Sequence, residues 1–398
     1  MKKLLLSSSF ITIAVMGLNF IFKIYLSYKI SKEDIGLFWT FLDMVSIGII
    51  FFSGFKDSLI LSHDRDNFNQ TLYWYIRSFW LLFAVVLVGE IVYFNILDFK
   101  YPLYFLILIL SANALMIFFS YLNASYKVYK VMLFENLTMT IGLIGSFFTL
   151  SHFIDSIDAL LFAFLISFGF RIFYIIYFSK IEWSVKKCSV RNVKAFFRNS
   201  IYSGGVYFFS GFFISMSGIM LLKLFEDTAI LAEYQVVVRS IFFSLVAVFV
   251  FPLNTFTFPQ ISKFISENRI GEIVRVEKIL LKYLFIFFIL LILGTFLTKS
   301  VIGFIFPIEY RESYKMLNIL LPLLPFIAYT TFAINIIKGF DRFDLALYIR
   351  VLGTVLFFVS IYIFYILNMD ATSIVYSLDM SFLGMFILSY YYKQRLLK

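Results

Sequence analysis

Ionisable side chains interrupt the long apolar runs of this 398-residue sequence. Seven of them are candidates for function, four basic and three acidic: Lys23, Arg171, Lys223 and Arg239, and Asp43, Glu90 and Asp379. A charge at the centre of a membrane span costs about 2.5 to 3.5 kcal/mol on insertion scales, so such residues are typical of bundle interiors and of pathways for ions or polar substrates. The set indicates that charged groups inside a membrane interact with one another, with ions or with a polar substrate.

Depth separates functional charges from those that reach the headgroups. Arg171 stands about nine residues from the nearer end of its apolar run, or roughly 14 Å, which is too deep for comfortable snorkelling. Glu90 and Asp379 lie about seven to eight residues in, and their short side chains snorkel poorly, whereas Lys23 has a longer reach. Snorkelling is the favoured interpretation for four residues within two turns of an end: Arg77, Glu135, Lys223 and Arg350.

Composition identifies the surrounding medium. Hydrophobic residues make up 62% of the chain and charged residues 15%, against about half and about a quarter in soluble proteins. A soluble protein of this composition would expose apolar surface that it could not hide. The net charge of +10 is better explained by basic cytoplasmic loops than by nucleic-acid binding.

Cysteine and histidine are too scarce for a disulfide or a metal cluster. Cys188 is the single cysteine, and His63 and His152 lie in different polar loops. No cofactor is expected.

The apolar runs predict twelve membrane-spanning helices. Each run is at least as long as the about 20 residues that a helix needs to cross the hydrocarbon. A β-barrel strand is only about half that length, so the runs predict helices. The predicted spans are 5–29, 36–58, 72–97, 101–125, 130–152, 157–180, 200–224, 234–258, 279–299, 314–337, 345–368 and 371–392. The first resembles a signal peptide but is too long and has no A-x-A cleavage site, which favours an uncleaved span.

The distribution of basic residues predicts the orientation. With the N-terminus inside, 24 lysines and arginines fall in cytoplasmic segments and eight in external ones, as the positive-inside rule requires. Both termini are then cytoplasmic. A basic stretch at 181–199, with Lys187, Arg191, Lys194 and Arg198 at helical spacing, is typical of an amphipathic helix on an anionic leaflet. It separates a six-helix lobe at 1–180 from a second at 200–398.

Two weak internal matches suggest that the lobes repeat each other. An offset of 196 residues aligns Phe38 with Tyr234 and Asp43 with Arg239, and an offset of 215 aligns Glu135 with Arg350. Such halves are usually related by an axis along the membrane normal. One hypothesis is that Asp43 faces Arg239 across the interface between lobes; the alternative is that each meets the headgroups alone.

The sequence shows no catalytic signature such as GxSxG, HExxH or a P-loop. It has no large external loop and no selectivity-filter motif. Twelve spans in two repeated halves favour a secondary transporter that works by alternating access.

Two spans are predicted to be kinked by proline. Pro322 and Pro325 lie in the tenth span, and Pro252 and Pro259 in the eighth.

A family resemblance sharpens this interpretation. The segments Ala232-Glu233-Tyr234 through Arg239 to Pro252, and Phe258-Pro259-Gln260-Ile261-Ser262-Lys263, resemble the multidrug/oligosaccharidyl-lipid/polysaccharide exporter superfamily. Ile35-Gly36-Leu37-Phe38 and Gly54 look like the counterpart in the first half. Within this superfamily the chain looks most like Wzx-type flippases of O-antigen or related polysaccharides.

The resemblance implies a MATE-like fold and a specific cargo. The expected cargo is an undecaprenyl-diphosphate-linked oligosaccharide, flipped across the bacterial inner membrane. In the family, spans one, two, seven and eight line a cationic cavity, which places Lys23, Asp43, Lys223 and Arg239 around the diphosphate here. Arg171 joins the candidate binding residues, and Asp43, Glu90 and Asp379 are candidates for H⁺ or Na⁺ coupling. The implied protein partners are a polysaccharide polymerase or glycosyltransferases.

Three alternatives stay open. A MATE-like exporter of drugs or cations would share the fold and carry acidic cavity residues. The lipid II flippase branch usually has more than twelve spans. A membrane-embedded glycan polymerase should have a large periplasmic loop, and an acyltransferase a buried catalytic histidine.

Overall fold

A computed structural model shows a helical protein, with no strand among the residues it describes. Those residues are 2–62, 68–97, 101–125, 129–179, 193–250, 257, 260–261, 264–265, 267–340 and 342–397. The basic stretch at 181–192, Cys188, Pro252 and Pro259 lie outside them.

The helices follow one another with short connections. The first seven are α1 (Lys2–Lys29), α2 (Lys32–Ile50), α3 (Ser53–Ser62), α4 (Phe68–Leu97), α5 (Leu103–Ser125), α6 (Tyr129–Leu150) and α7 (Ser156–Ser179). The next four are α8 (Val193–Met220), α9 (Thr228–Ala232), α10 (Arg239–Phe249) and α11 (Ile270–Ile305). The last four are α12 (Tyr314–Leu320), α13 (Leu324–Gly339), α14 (Phe343–Ile366) and α15 (Ser373–Leu397).

Each predicted span overlies one helix or a run of consecutive helical segments. Within the described residues, nine of these segments are long and apolar enough to cross a membrane. Helices α1, α2 and α6 occupy the positions of the first, second and fifth predicted spans. The helical membrane fold is therefore confirmed, and twelve spans are compatible with it.

Several spans are less regular than their composition suggested. The second is broken between α2 and α3 by a turn at Phe51 and Phe52. The tenth contains a 3₁₀ turn at Leu321–Leu323, where Pro322 removes a backbone donor, so the predicted interruption is confirmed. Two π-helical segments, Leu221–Phe225 and Glu233–Val238, flank α9. Such segments often occur at functional positions in membrane and soluble helices.

The helix starts support the internal repeat. Helix α9 begins 196 residues after α2, and α14 begins 214 residues after α6. These spacings agree with the two offsets in the sequence to within one residue. In both halves the last two spans form a helical hairpin, α6–α7 and α14–α15.

The chain divides into two compact units. Unit 1 comprises Met1–Tyr25 and Phe41–Gly211, and unit 2 comprises Leu26–Thr40 and Phe212–Lys398. Helices α1, α2 and α8 therefore each contribute residues to both units. The predicted lobe boundaries at 180 and 200 are not the boundaries of this division, and they stay a prediction.

Glycine permits one especially close helix crossing in unit 1. A Cβ atom on Gly54, at the start of α3, would lie 2.0 Å from the carbonyl oxygen of Ser200 and 2.8 Å from Cα of Gly204. A Cβ on Gly204 itself would meet its nearest neighbour at 3.6 Å, which is ordinary contact. Small residues at such crossings let helix backbones approach in membranes.

We predict opposite effects of alanine at the two glycines. Gly54→Ala should destabilise unit 1 by about 1 to 3 kcal/mol, as overpacking does, whereas Gly204→Ala should be neutral or stabilising because alanine favours helix. Thermal unfolding of the purified protein in detergent measures both. Equal melting temperatures for the two variants would contradict the backbone crossing.

Candidate functional site

An ion pair lies within unit 1 between the two helices of the α6–α7 hairpin. Arg171 on α7 donates from Nη2 to Oε1 of Glu135 on α6 at 2.9 Å, and its Nη1 lies 3.7 Å from the sulfur of Met139. The side chains are only 14% and 11% exposed. Removal of either partner would leave the other charge buried without compensation, so the pair fixes how α6 and α7 pack. The snorkelling interpretation of Glu135 is thus wrong.

Glu90 on α4 is a second buried carboxylate of unit 1. The residue is 6% exposed. A Cβ on Gly48 of α2 would lie 2.7 Å from its Oε1, so the glycine makes room for the carboxylate. Its Oε2 is buried and has no hydrogen-bond partner among the described residues.

The other candidates of unit 1 lie on α1 and α2. Asp43 is 5% exposed, and Lys23 is half-buried. Asn19, further along α1, donates to the hydroxyl of Thr140 on α6 at 3.2 Å. This contact confirms the interhelical hydrogen bond expected of an intramembrane asparagine.

A chain of hydrogen bonds in unit 2 positions Arg239. The guanidinium donates from Nη1 to Oε1 of Gln235 at 3.0 Å and lies 5.8 Å from the ring centroid of Phe243. The amide of Gln235 donates to the hydroxyl of Thr40 at 3.3 Å, and that hydroxyl donates to the carbonyl of Gly36 at 2.9 Å. The chain therefore connects the start of α10 to α2.

Glu233 belongs to the same segment and forms an ion pair. Lys32, the first residue of α2, donates to Oε1 of Glu233 at 2.7 Å and to the carbonyl oxygen of Glu309 at 2.8 Å. Its ammonium also lies 5.4 Å from the ring centroid of Tyr310. The count of basic residues that predicted the orientation assigned Lys32 to an external segment between two spans. In the structure, both side chains of the pair are only 11% exposed. The segment that resembles the exporter superfamily thus anchors residues 26–40 in unit 2.

A more deeply buried cluster joins α11, α13 and α15 of unit 2. Lys393 donates to Oε1 of Glu277 and lies 2.8 Å from the hydroxyl of Tyr329, which donates to the same Glu277 oxygen at 2.5 Å. Lys393 is 0% exposed, Tyr329 2% and Glu277 7%. Sequence analysis placed Lys393 and Glu277 outside the spans. They are buried because α11, at 36 residues or about 54 Å, extends well past the hydrocarbon.

The remaining intramembrane charges of unit 2 differ in their surroundings. Arg350 on α14 lies 3.5 Å from the sulfur of Met385 through Nη1, and its Nε is buried without a hydrogen-bond partner among the described residues. The same holds for Oδ1 of Asp379 on α15. Lys223 lies in a π-helical segment and is exposed. Snorkelling fits the exposed Lys223, whereas Arg350 is partly buried and packs against Met385.

The seven predicted site residues are divided between the two units. Lys23, Asp43, Glu90 and Arg171 fall in unit 1, whereas Lys223, Arg239 and Asp379 fall in unit 2. The assignment of these residues to substrate or coupling ion, and the pairing of Asp43 with Arg239, stay predictions.

Sequence analysis missed the Glu277–Lys393–Tyr329 cluster. A lysine that directly follows three tyrosines at 390–392 was an available signal. Within the described residues no histidine, cysteine and carboxylate cluster could hold a metal.

Comparison by sequence finds no matching protein family and no matching curated protein. Comparison of folds finds several solved structures. An inward-facing multidrug resistance MATE family transporter of the MOP superfamily matches with a TM-score of 0.76 and 11% identity, over 96% of this chain and 94% of that one. Lipid II flippase MurJ, in an inward closed conformation, matches with a TM-score of 0.76 and 13% identity, over 97% and 87%.

A third neighbour is a MOP superfamily transporter from Pyrococcus furiosus, described as having a binding pocket of reverse polarity. It matches with a TM-score of 0.65 and 13% identity, over 100% of this chain and 96% of that one. The chain therefore has the fold shared by MATE transporters and MurJ.

We predict that the Lys393 cluster stabilises unit 2. Lys393→Met leaves the Glu277 carboxylate buried without its cation and should destabilise the protein by about 3 to 5 kcal/mol. The double variant Lys393→Met/Glu277→Gln should recover most of the loss. Thermal unfolding in detergent measures the effect.

Lys315 supplies the control, because its ion pair with Glu312 is 60% and 57% exposed. Lys315→Met should melt with the wild type, since exposed pairs contribute little. If Lys393→Met also melted with the wild type, the cluster would have no structural role.

Proposed function

We propose that this protein is a flippase of the MOP superfamily that moves an anionic, polyprenyl-diphosphate-linked oligosaccharide across the bacterial inner membrane, with both termini in the cytoplasm. The observation that carries the proposal is the likeness to MurJ over 97% of the chain. Its specific form, a Wzx-type flippase of O-antigen or a related polysaccharide, rests on the sequence resemblance. The lipid-linked substrate is the cargo, and a polymerase or glycosyltransferases are the proposed partners.

The basic residues of the spans support an anionic substrate. Lys23, Lys223 and Arg239 stand on spans that line the cavity in the family that the sequence resembles. Asp43 is the one acidic candidate on those spans. A diphosphate requires compensating charge where the dielectric is low, and lysine or arginine supplies it. The sugar needs a polar route, whereas the polyprenyl tail is soluble in lipid.

Arg239 is held in place by its neighbours. Its guanidinium donates to Gln235 and lies 5.8 Å from the ring centroid of Phe243, so the group is oriented before a ligand binds. Orientation in advance reduces the entropy that binding would otherwise cost. Arg171 is a weaker candidate, because Glu135 already compensates its charge.

Buried carboxylates supply a means of ion coupling. Glu90 in unit 1 and Asp379 in unit 2 each have one buried oxygen without a hydrogen-bond partner among the described residues. A bound H⁺ or Na⁺ would satisfy such an oxygen and remove the cost of its charge. We propose that one or both couple transport to an ion gradient. Asp43 is a third candidate by its burial.

A second function deserves a test because of a specific observation. The MATE transporter matches with the same TM-score as MurJ, and buried carboxylates are also suited to a cationic drug. A MATE-like exporter would lower the cellular accumulation of a cationic dye and would leave lipid-linked sugars where they are made. If the purified protein transported the cationic dye and did not flip the lipid-linked oligosaccharide, this alternative would be favoured.

The flippase proposal predicts a charge requirement at Arg239. In vesicles containing the purified protein and a fluorescent polyprenyl-diphosphate oligosaccharide, Arg239→Gln should slow flipping at least tenfold. Arg239→Lys should retain part of the rate, because it keeps the charge but loses the fork geometry. A membrane-impermeant quencher measures the leaflet of the label.

Lys315→Gln serves as the control, since Lys315 is an exposed lysine of unit 2. It should flip at the wild-type rate. Wild-type vesicles that flip no faster than empty vesicles would exclude the proposed function, and unchanged flipping by Arg239→Gln would remove Arg239 from the site.

The coupling proposal predicts a loss of gradient dependence. An imposed H⁺ or Na⁺ gradient should accelerate wild-type flipping, whereas Asp379→Asn or Glu90→Gln should flip at a rate that ignores the gradient. Asp370→Asn, a change in an exposed residue between α14 and α15, should behave as the wild type. Wild-type flipping that is indifferent to both gradients would refute the coupling.

A further inference from the structure

An apolar groove runs along the surface of unit 1. Its volume is about 580 Å³, and its walls come from the junction of α2 and α3, from α4 and from α8. Aliphatic and aromatic side chains form most of the lining, including Phe51, Leu81, Val85, Ile201 and Phe208. Apart from Ser78 and Ser200, every lining residue is apolar or glycine.

The groove has a solid floor and an open side. Phe55 and Ser200, at 6% and 7% exposed, are buried in the floor, where Gly54 allows α3 and α8 to approach closely. Leu81, Val85 and Ile201 are 72%, 63% and 69% exposed. A guest can therefore enter from the side and rest on packed helices.

The length of the groove suits one leaflet. Its lining extends along α8 from Phe197 to Phe209, a distance of about 18 Å at 1.5 Å per residue. Half of the hydrocarbon thickness is about 15 Å. A single chain laid in the groove would reach from the membrane surface to the middle of the bilayer.

One end of the groove is basic. Lys56, Arg77 and Arg198 are each next in sequence to a lining residue: Phe55, Ser78 and Phe197, respectively. Arg77 and Arg198 are exposed. Lys56 interacts electrostatically with the Glu135 carboxylate on α6, so the basic charge of the mouth is assigned to Arg77 and Arg198. The positive-inside count places this end at the cytoplasmic surface.

We propose that this groove binds the substrate lipid, with its polyprenyl tail along α4 and α8 and its diphosphate at Arg77 and Arg198. The charge of the mouth complements an anionic head, and the apolar trough complements the attached chain. The inference rests on the proposed function, since that function selects a polyprenyl tail over an acyl one. The groove is a loading site on unit 1.

Two valines on α4 give a matched test. Val85 lines the groove and Val88 does not, yet both are 63% exposed. Native mass spectrometry of the full chain in detergent, titrated with polyprenyl diphosphate, measures retained lipid. Val85→Trp should fill the trough and lower retention at least fivefold, whereas Val88→Trp should stay within twofold of the wild type. Leu81→Trp, at a more exposed lining position, repeats the test should Val85→Trp fail to fold. Equal retention by the Val85 and Val88 variants would overturn the site.

Three further ligands identify the occupant. Uncharged polyprenol should be retained at least tenfold less than the diphosphate, and Arg77→Gln should reduce that difference. Phosphatidylglycerol should compete poorly; competition equal to that of polyprenyl diphosphate would assign the groove to ordinary anionic phospholipid and overturn the proposal. Inorganic diphosphate alone should displace little, and full displacement by it would overturn the role of the tail.

Flipping in vesicles separates failure of the groove from failure of the function. If wild-type vesicles flip the lipid-linked oligosaccharide while both valine variants retain lipid equally, the groove is wrong and the flippase stands. If wild-type vesicles do not flip, the proposed function fails whatever the groove binds.

Discussion

The cost of burying a charge without a partner is the constraint on which this structure depends. Each unit meets it internally. In unit 1, Arg171 and Glu135 neutralise each other within the α6–α7 hairpin, and in unit 2 Lys393 meets Glu277 under the hydroxyl of Tyr329. Such pairs add little net stability over apolar residues, but removing one partner is expensive. They therefore fix which helices pack together.

This constraint also separates structural charges from working ones. A charge already compensated inside its unit gives little to a ligand, which weakens the case for Arg171. Glu90 and Asp379 differ, since each keeps an unsatisfied buried oxygen among the described residues. This is why they are the groups proposed for ion coupling.

Composition and periodicity predicted much of the fold, because the bilayer demands long apolar helices and little else. The spans, the short loops and the repeat offsets all follow from that demand. Partnerships between distant helices were not predictable: Glu135 looked like a headgroup residue until α7 placed Arg171 beside it. Lys393 looked like a loop residue because sequence hydropathy does not show that α11 extends beyond the hydrocarbon to shield it. The groove of unit 1 arises from three helices and has no linear signal.

The most direct measurement of the central claim is the leaflet in which the lipid-linked oligosaccharide resides in cells depleted of this protein. Labelling of the sugar from either face of the membrane gives the distribution. The account predicts accumulation on the cytoplasmic leaflet and loss from the outer leaflet, both reversed when the protein is restored. An unchanged distribution between leaflets, with the sugar still reaching the outer face at its normal rate, would contradict it.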